Sequence, residues 1–426
     1  MTEAPRRPPD LWLLVAVLLL LVAGIVWVYS SSFIVAHNEF GDDNYFLTRH
    51  LIALAAGLVL MGFLAGVDYR RWRRWALVGV VLAITLLGVV LIPGLGIEIY
   101  GSRRWLQTGG LLPGAQPSEF AKIAVIVFIA SWMASGRERA SGLTTGSLPF
   151  LALVGLVAFL IMREPDMGTT IVIVLAAATV FWVAGANVLH VASAAGVGVA
   201  AMAWLVTSAA YRAQRLQGWT DPWADPLGAG WHTKQALTAL GSGGLTGRGL
   251  GASLTKAYYL PSAHTDAIYA VIGEEWGLMG AGLVLLLFVC IAWRGLVIAH
   301  RAPDRFGRLL AVGTTGLIVW QALLNMMVVV NAVPFTGVTL PFVSFGGSSL
   351  VISLAAIGLL LSVSRATPRP EPVEAQSVAP RRTERTSLGP ARRRPAVARP
   401  ARPTLAGRSL SAASRHGARA RYADRG

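Results

Sequence analysis

Residues 260–277, LPSAHTDAIYAVIGEEWG, place three carboxylates at the entrance of an otherwise strongly apolar segment. An acidic residue at the centre of a membrane helix is unfavourable by about 2.5 to 3.5 kcal/mol, so carboxylates in or beside a span usually face a polar cavity and mark function. Asp266, Glu274 and Glu275 therefore predict a functional cavity at this point of the chain.

The composition of the chain indicates a polytopic membrane protein. Of its 426 residues, 54% are hydrophobic and only 14% are charged, which excludes an ordinary soluble domain. The first apolar run, residues 11–28, is too long for the core of a signal peptide and lacks a convincing cleavage site, so we predict a retained span. The single cysteine, Cys290, excludes a disulfide within the chain.

Hydropathy in windows of roughly 20 residues predicts an all-α fold with about ten transmembrane helices. The uncharged turn at residues 185–187 is the point where the sixth and seventh spans could be mispaired. The predicted spans are residues 11–30, 47–66, 75–92, 118–135, 147–163, 168–184, 188–208, 265–298, 308–331 and 346–364.

The positive charges predict which ends of the spans face the cytoplasm. Lys and Arg crowd the cytoplasmic loops, and an even number of spans puts both termini on one side. The alternate loops 31–46 and 332–345 contain no Lys or Arg, whereas arginines are abundant in the segments on the terminal side. We therefore predict cytoplasmic termini and two long outward-facing loops, residues 93–117 and 209–264, the second of which joins spans 7 and 8.

Composition also divides the chain into three parts. We predict a cytoplasmic N-terminal segment at residues 1–9, a transmembrane domain at residues 10–364 and a disordered, basic cytoplasmic tail at residues 365–426. The tail has 15 arginines against four acidic residues and cannot form a core. Anionic lipid headgroups would attract it, and nucleic-acid binding is the less favoured alternative because no aromatic residues are interleaved with the arginines.

The first outward loop contains the motifs GSRRWL and QPSEFAK. Arg103 opposes the positive-inside pattern, which indicates an anionic partner on the outer side. Glu119 and Lys122 are three residues apart and share a face at the start of the fourth span. One interpretation is a structural ion pair at the level of the headgroups. The other is that Glu119 holds the Lys122 cation in position for a phosphate.

Two further polar sites lie at the starts of spans. Asp166, in REPDMGTT, lies near the start of the sixth span, where the helix dipole favours negative charge, so a structural and a functional role are both open. Ser348, in PFVSFGGSS, lies at the start of the last span. This motif is predicted chiefly to pack, since its glycines permit close backbone approach, and lining the path of a lipid is the alternative.

The second outward loop is basic and rich in glycine. Arg212, Arg215, Arg248 and Lys256 lie on the same predicted side of the membrane and indicate a basic, outward-facing cavity. Residues 241–251 contain six glycines but lack the Gly-Lys-Ser/Thr ending of a nucleotide-binding loop. Backbone of this kind near a membrane must be buried in protein or line a wet cavity, and we predict the second.

Helix geometry separates the acidic residues of the opening segment. At 100° per residue, Glu274 lies about 80° around a helix from Asp266, and Glu275 lies about 180° away. Glu274 is therefore predicted to face the cavity, and Glu275 to form an interhelical hydrogen bond. His264 is predicted to be a hydrogen-bonding scaffold, because no second His or Cys lies at metal-ligand spacing.

These motifs resemble those of the SEDS family (shape, elongation, division and sporulation), the membrane polymerases of bacterial peptidoglycan. The resemblance covers residues 10–364 and is closer to the division branch of the family than to its elongation branch. Ala267, Tyr269, Trp231, His232 and Phe345 depart from the usual family residues, and none of them removes a charged functional position. The matching motifs are GSRRWL, QPSEFAK, EPDMGTT, YRAQRL, DPWADPLGAGW, GSGGLTGRGLG, LPSAHTDAIYAVIGEEWG and PFTGVTLPFVSFGGSSL.

The resemblance implies a glycosyltransferase that joins lipid II, an undecaprenyl-pyrophosphate-linked disaccharide-pentapeptide, into glycan strands at the outer face of the cytoplasmic membrane during septal wall synthesis. Pyrophosphate is a good leaving group, so the reaction needs a base for the acceptor 4-hydroxyl and cations for the departing charge. An α-linked donor and a β-linked product imply a single inverting displacement. The family's catalytic aspartate corresponds to Asp266, which is predicted to be the general base.

The resemblance also implies partners, namely a class B penicillin-binding protein, other division proteins and membrane lipids, with no nucleic acid. A divalent cation, Mg²⁺ or Mn²⁺, could bridge a carboxylate and the pyrophosphate. Two alternatives are a lipid II flippase, which would place the acidic cluster at the membrane midplane, and a scaffold that recruits division proteins. The predicted substrate-binding residues are Arg103, Glu119, Lys122, Asp166, Arg212, Arg215, Lys256, His264, Glu274 and Ser348.

Overall fold

The computed structural model describes residues 8–99, 102–106, 115–136, 140–207, 216–228, 230–257 and 259–366. Arg212, Arg215 and nearly all of the basic tail lie outside the described residues. The helices are α1 (Leu11–Phe40), α2 (Tyr45–Gly66), α3 (Tyr69–Val90), α4 (Pro117–Met133), α5 (Leu148–Arg163), α6 (Met167–Val183), α7 (Val188–Thr207), α8 (Trp231–Gly243), α9 (Ile268–Arg301), α10 (Arg305–Val329) and α11 (Gly347–Ala366), and the strands are β1 (Gly96–Ile99) and β2 (Ser102–Leu106).

The predicted all-α membrane fold is confirmed. Each predicted span contains a helix, and in the described ranges seven helices are long and apolar enough to cross a membrane by length and composition. Helix α5 meets this criterion together with the π-helical turn Leu143–Ser147 that precedes it. The helices α4, α6 and α7 do not, so the count of ten spans stays a prediction. Leucine-rich and valine-rich faces on α1, α3 and α9 are exposed, as expected of surfaces that contact lipid.

Several helix boundaries differ from the prediction because local interactions extend or interrupt the apolar runs. Helix α3 begins at Tyr69, six residues earlier than predicted, because the Asp68 side chain caps it by accepting a hydrogen bond from Arg70 N at 2.9 Å. Helix α9 has non-helical backbone at Gly277, where φ is 65°, so the predicted single span is kinked. Helix α8 and the antiparallel hairpin of β1 and β2 were not predicted.

The helix ends that the charge pattern assigns to the cytoplasm contact one another. At the start of α1, Asp10 forms an ion pair with Arg294 of α9, with 3.1 Å between Arg294 Nε and Asp10 Oδ1. At the start of α3, the Tyr69 hydroxyl donates to Asp304, which directly precedes α10. Near the end of α11, Arg365 donates to Ala65 O of α2 at 3.0 Å. These contacts collect the first and last described helix ends at one side of the bundle.

Non-helical backbone enters the bundle between α10 and α11. Leu340, Phe342 and Val343 are buried although no helix or strand includes them. The segment packs against the middle of α1, where a Cβ added to Gly24 would overlap Phe342 O and lie 3.0 Å from Val343 Cα. Irregular backbone is tolerated at membrane depth only where protein or water surrounds it, so Gly24 makes room for this segment. The burial of Phe342 and Val343 agrees with a packing role for PFVSFGGSS, and lining of a lipid path by Ser348 stays a prediction.

Substitution of Gly24 tests this close approach. We expect Gly24→Ala to lower the free energy of unfolding by about 1 to 3 kcal/mol, because the added methyl group forces backbone to move in a packed interior. Gly62→Ala on α2 is the matched control, since nothing lies within 4 Å of the added Cβ. That control should be neutral or stabilising by up to about 1 kcal/mol. Thermal unfolding in detergent measures both, and equal effects of the two substitutions would contradict the close packing.

Candidate active site around Asp266

Asp266 lies two residues before α9 and its side chain is buried. Its backbone carbonyl accepts a hydrogen bond from Asn325 Nδ2 of α10 at 2.8 Å, and Thr265 Oγ1 lies 3.3 Å from Asp266 Oδ1. Gly337 is close by, since a Cβ added there would lie 3.7 Å from Asp266 Oδ2. The carboxylate therefore stands at the start of a helix, where the dipole favours negative charge.

The predicted pair of Glu119 and Lys122 forms in the first two turns of α4. Lys122 Nζ lies 2.8 Å from Glu119 Oε2 and donates to Gln321 Oε1 of α10 at 2.7 Å. Both charged side chains are buried. A buried ion pair in an apolar bundle costs desolvation energy, and such groups usually mark a functional site.

Asp166 is the N-cap of α6, as its position near a helix start predicted. Its Oδ1 accepts a hydrogen bond from Thr169 N at 3.0 Å. Its Oδ2 accepts from Gln116 Nε2 at 3.0 Å, and Gln116 N lies 3.4 Å from Ser348 Oγ of α11. The cap and the link to α4 explain the buried carboxylate structurally, and a role in substrate binding stays a prediction.

One non-helical segment, residues 336–340, joins these groups. Gly337 lies beside Asp266, and Thr339 O accepts a hydrogen bond from Gln321, the partner of Lys122. A Cβ added to Gly168, two residues after Asp166, would overlap Val338 of the same segment. The structure thus brings Asp266, Glu119, Lys122, Asp166 and Ser348 to one region at the predicted outward ends of α4, α6, α9, α10 and α11.

Glu274 and Glu275 have different hydrogen-bond partners, as the sequence predicted. Glu274, however, is buried and does not face an open cavity. Its carboxylate accepts hydrogen bonds from Ser253 Oγ at 2.6 Å, Leu254 N at 3.0 Å and Thr255 Oγ1. It therefore anchors the loop that precedes α9. The predicted angles around the helix axis assumed that Asp266, Glu274 and Glu275 lie on one helix. Helix α9 begins only after Asp266, so those angles do not apply to Asp266.

Lys256 lies in the interior instead of lining a basic outward cavity. Its Nζ donates to Glu275 Oε1 at 2.7 Å, Gly251 O at 2.8 Å and Ser30 Oγ of α1 at 3.0 Å. Ser30 also donates to Glu275 at 2.7 Å, which is the predicted interhelical hydrogen bond of this glutamate. The three acceptors within the chain give Lys256 a structural role, and its assignment to substrate binding stays an untested prediction.

Two of the six glycines in residues 241–251 pack against the backbone of α9, while most of the segment is exposed and the other four have no atom within 4 Å of an added Cβ. A Cβ added to Gly243 would overlap Gly273 O, and one added to Gly247 would overlap Glu275 O. These two glycines therefore allow this segment to cross the backbone of α9 closely. The predicted wet cavity stays a prediction. The sequence could not distinguish close packing from flexibility, because glycine permits both for the same reason, namely that it has no side chain.

The two arginines of GSRRWL lie on β2. Arg104 docks the hairpin on the turn between α5 and α6 by donating to Glu164 O at 2.8 Å and Pro165 O at 2.6 Å. Arg103, the neighbouring residue, is half-buried and pairs with Glu98 in the sheet register. Arg104 thus has a structural role at the site, and binding of substrate by Arg103 stays a prediction.

His264 is half-buried between two aromatic rings. Its ring centroid lies 4.4 Å from that of Phe46 and 5.7 Å from that of Phe345, and its backbone carbonyl accepts from Phe345 N at 2.9 Å. Burial lowers the pKa of His264 to about 4, so its ring is neutral at pH 7. Within the described ranges no three His, Cys, Asp or Glu residues cluster to hold a metal ion, and a divalent cation stays a prediction.

Sequence reasoning missed two amides and one carboxyl group of the site. Gln321 and Asn325 lie four residues apart on α10, and polar residues at that spacing in an apolar span are a usable sign of a buried polar face. Glu164 is fully buried and neither carboxyl oxygen has a hydrogen-bond partner within the described structure. Burial and the nearby Asp166 raise the pKa of Glu164 to about 9, so this side chain is protonated at pH 7.

The chain was compared with known protein families, curated proteins and solved structures. Residues 11–369 match the FtsW/RodA/SpoVE family, described as cell cycle proteins. Stage V sporulation protein E of Bacillus subtilis is 42% identical over 360 residues, which cover 84% of this chain and 98% of that protein. A probable peptidoglycan glycosyltransferase FtsW of Trichlorobacter lovleyi is 39% identical over 369 residues, covering 85% and 96%.

Two solved structures have a similar fold. A chain of a peptidoglycan synthase complex that coordinates polymerization and crosslinking aligns with a TM-score of 0.68 and 28% identity, covering 85% of this chain and 99% of that chain. The rod shape determining protein RodA of Thermus thermophilus aligns with a TM-score of 0.63 and 28% identity, covering 85% and 98%.

The raised pKa of Glu164 predicts a pH-dependent stability. Between about pH 4.5 and pH 9 the folded protein keeps this proton and the unfolded chain loses it, so the group makes folding less favourable as the pH rises. We therefore expect the stability of Glu164→Gln, relative to wild type, to increase across this window by at most about 1.4 kcal/mol per pH unit. Thermal unfolding at several pH values measures the difference, with the exposed Glu39→Gln as control. A constant difference would contradict the raised pKa.

Removal of Lys256 tests whether its contacts are structural. Lys256→Met leaves the Glu275 carboxylate buried without its cation, so we expect a loss of about 3 to 5 kcal/mol in the free energy of unfolding. The double variant Lys256→Met with Glu275→Gln removes both charges and should regain much of that loss. Chemical or thermal unfolding measures the three proteins, and a Lys256→Met protein of unchanged stability would refute the structural role.

Proposed function

The chain belongs to the FtsW/RodA/SpoVE family of cell cycle proteins, and from this membership we propose that it is a peptidoglycan glycosyltransferase that polymerises lipid II at the outer face of the cytoplasmic membrane. The activity follows the names of curated relatives, and the chain also resembles a component of a peptidoglycan synthase complex. The observation that supports lipid II as substrate is a buried base and a buried cation at the outward ends of apolar helices.

Asp266 is the proposed general base. The acceptor 4-hydroxyl oxygen attacks the anomeric carbon of the donor sugar while its proton passes to the Asp266 carboxylate. The bond between that carbon and the pyrophosphate oxygen breaks, and its electron pair leaves with the undecaprenyl pyrophosphate. Because the attack and the departure occur on opposite faces, one displacement converts the α-linked donor into a β-linked product.

Lys122 is the proposed cation for the departing pyrophosphate. Its ammonium group is held by Glu119 at 2.8 Å and by Gln321 at 2.7 Å, so its direction is set before substrate binds. A fixed charge in a region of low dielectric stabilises a developing charge more strongly than the same charge in water. A divalent cation, if held by the Asp266 carboxylate, would supply further positive charge for the departing pyrophosphate.

The position of the acidic residues favours polymerisation over lipid transport. A flippase would place its acidic cluster near the membrane midplane, where transporters bind their substrates. Asp266 lies two residues before α9 and Glu119 lies in the first turn of α4, so both stand at helix ends. The basic tail lies outside the described residues, and a role for it in recruiting division proteins stays a prediction.

We further propose that the protein acts in septal wall synthesis with a class B penicillin-binding protein, with both termini in the cytoplasm. Several curated relatives at 36% to 39% identity are named FtsW, whereas the RodA structure is 28% identical. The similar chain in a peptidoglycan synthase complex supports a partner enzyme. Three contacts support a common side for both ends of the membrane domain: Asp10 with Arg294, Tyr69 with Asp304, and Arg365 with Ala65 O.

Loss of the base tests the proposed function. We expect Asp266→Asn to bind lipid II but to polymerise it about 100-fold to 10,000-fold more slowly, the usual contribution of a general base. Purified protein with its penicillin-binding partner in liposomes is given labelled lipid II, and glycan strands are separated on gels. Asp43→Asn, on an exposed pair with His37, is the control. Polymer formation by Asp266→Asn at the wild-type rate would refute the assignment, and lipid II movement without any polymer would favour a flippase.

A further inference from the structure

Helix α10 passes the proposed active site with two buried amides, Gln321 and Asn325, one helical turn apart on the same face. Their exposed fractions are 3% and 1%. An amide in an apolar interior is unfavourable by about 1 to 3 kcal/mol unless it is hydrogen-bonded. The hydrogen-bond partners of each amide therefore indicate its role. Neither amide makes or breaks a bond in the chemical step described above.

Asn325 ties the segment of the base to the non-helical segment between α10 and α11. Its Nδ2 donates to Asp266 O at 2.8 Å and to Val338 O at 2.7 Å. Both acceptors belong to non-helical backbone, since α9 begins at Ile268 and residues 334–340 lie outside helices and strands. One side chain therefore sets the distance between Asp266 and the backbone of Gly337 beside its carboxylate.

Gln321 ties the cation to the next residue of the same segment. Its Oε1 accepts from Lys122 Nζ at 2.7 Å, and its Nε2 donates to Thr339 O and Ser349 Oγ, each at 3.0 Å. A backbone carbonyl can only accept, so the amide nitrogen must face Thr339 and the amide oxygen must face Lys122. The orientation of Gln321 is thus unambiguous, and it directs the ammonium group of Lys122.

We infer that Asn325 and Gln321 are positioning residues that hold the base and the cation in register by binding consecutive carbonyls, Val338 O and Thr339 O, of one buried segment. This inference rests on the proposed glycosyltransferase function. A misplacement of about 1 Å between reacting groups lowers a rate on the order of 100-fold, so rigid amides at this point have a direct kinetic effect.

The test compares Asn325→Leu and Gln321→Met with Thr314→Val in the lipid II polymerisation assay. Thr314 is fully buried on the same helix, but its hydroxyl donates to Leu310 O of α10 itself at 2.9 Å, so the control matches burial without touching the site. We expect kcat to fall roughly 30-fold to 300-fold in the first two variants with KM within about threefold, and the control to stay within about twofold of wild type.

A double variant separates positioning from a general structural effect. If Gln321 acts through Lys122, then Gln321→Met should cost no further activity in a Lys122→Met background. Gln321→Glu keeps the acceptor for Lys122 but loses the donor to Thr339 O, and it should show an intermediate kcat. This variant decides the question if Gln321→Met or Asn325→Leu does not fold.

Three results would overturn the inference while leaving the proposed function intact. They are wild-type kcat in the folded Asn325 and Gln321 variants, an equal loss in Thr314→Val, and additive losses for Gln321 and Lys122. Failure of the wild-type protein to make any polymer would instead refute the proposed function itself. Folding of each variant is checked by its melting temperature and by its binding of labelled lipid II.

Discussion

Backbone carbonyls and amides inside this bundle need partners within the protein, because the surrounding hydrocarbon offers no hydrogen bonds. The segment between α10 and α11 meets this constraint with side chains from α10. Asn325 donates a hydrogen bond to Val338 O, and Gln321 donates one to Thr339 O. Gly24 leaves room for the backbone at Phe342. The position of the base depends on this arrangement, since Asn325 also binds Asp266 O.

Two buried ion pairs have different consequences in the same structure. The pair of Lys122 and Glu119 is connected through Gln321 to the segment beside Asp266, so its charge is available where an anion would leave. The pair of Lys256 and Glu275 joins the loop before α9 to Ser30 of α1, and all of its donors are used within the chain. Burial is alike for both pairs, and only their neighbours separate a catalytic environment from a structural one.

Much of the fold and part of the site were predictable from periodicity and charge. The apolar runs located the helices, and the spacing of Glu119 and Lys122 predicted their contact, because both depend on residues that are near in sequence. The close backbone contacts of Gly243 and Gly247, the interior position of Lys256 and the hairpin that Arg104 docks were not predicted. Each of these depends on which distant backbone lies opposite, which a local pattern does not contain.

The sequence by itself determined the membrane class, the positions of the helices and the family, and through the family resemblance it identified Asp266 as the proposed base. These follow from composition and from motifs that are continuous in the chain. Only the tertiary structure decided that Glu274 anchors a loop, that Glu164 is an isolated buried acid, and that two amides of α10 link Asp266 to Lys122. The physical reason is that burial and hydrogen bonding at these residues are made by segments tens to hundreds of residues away, so their partners exist only once the helices have packed.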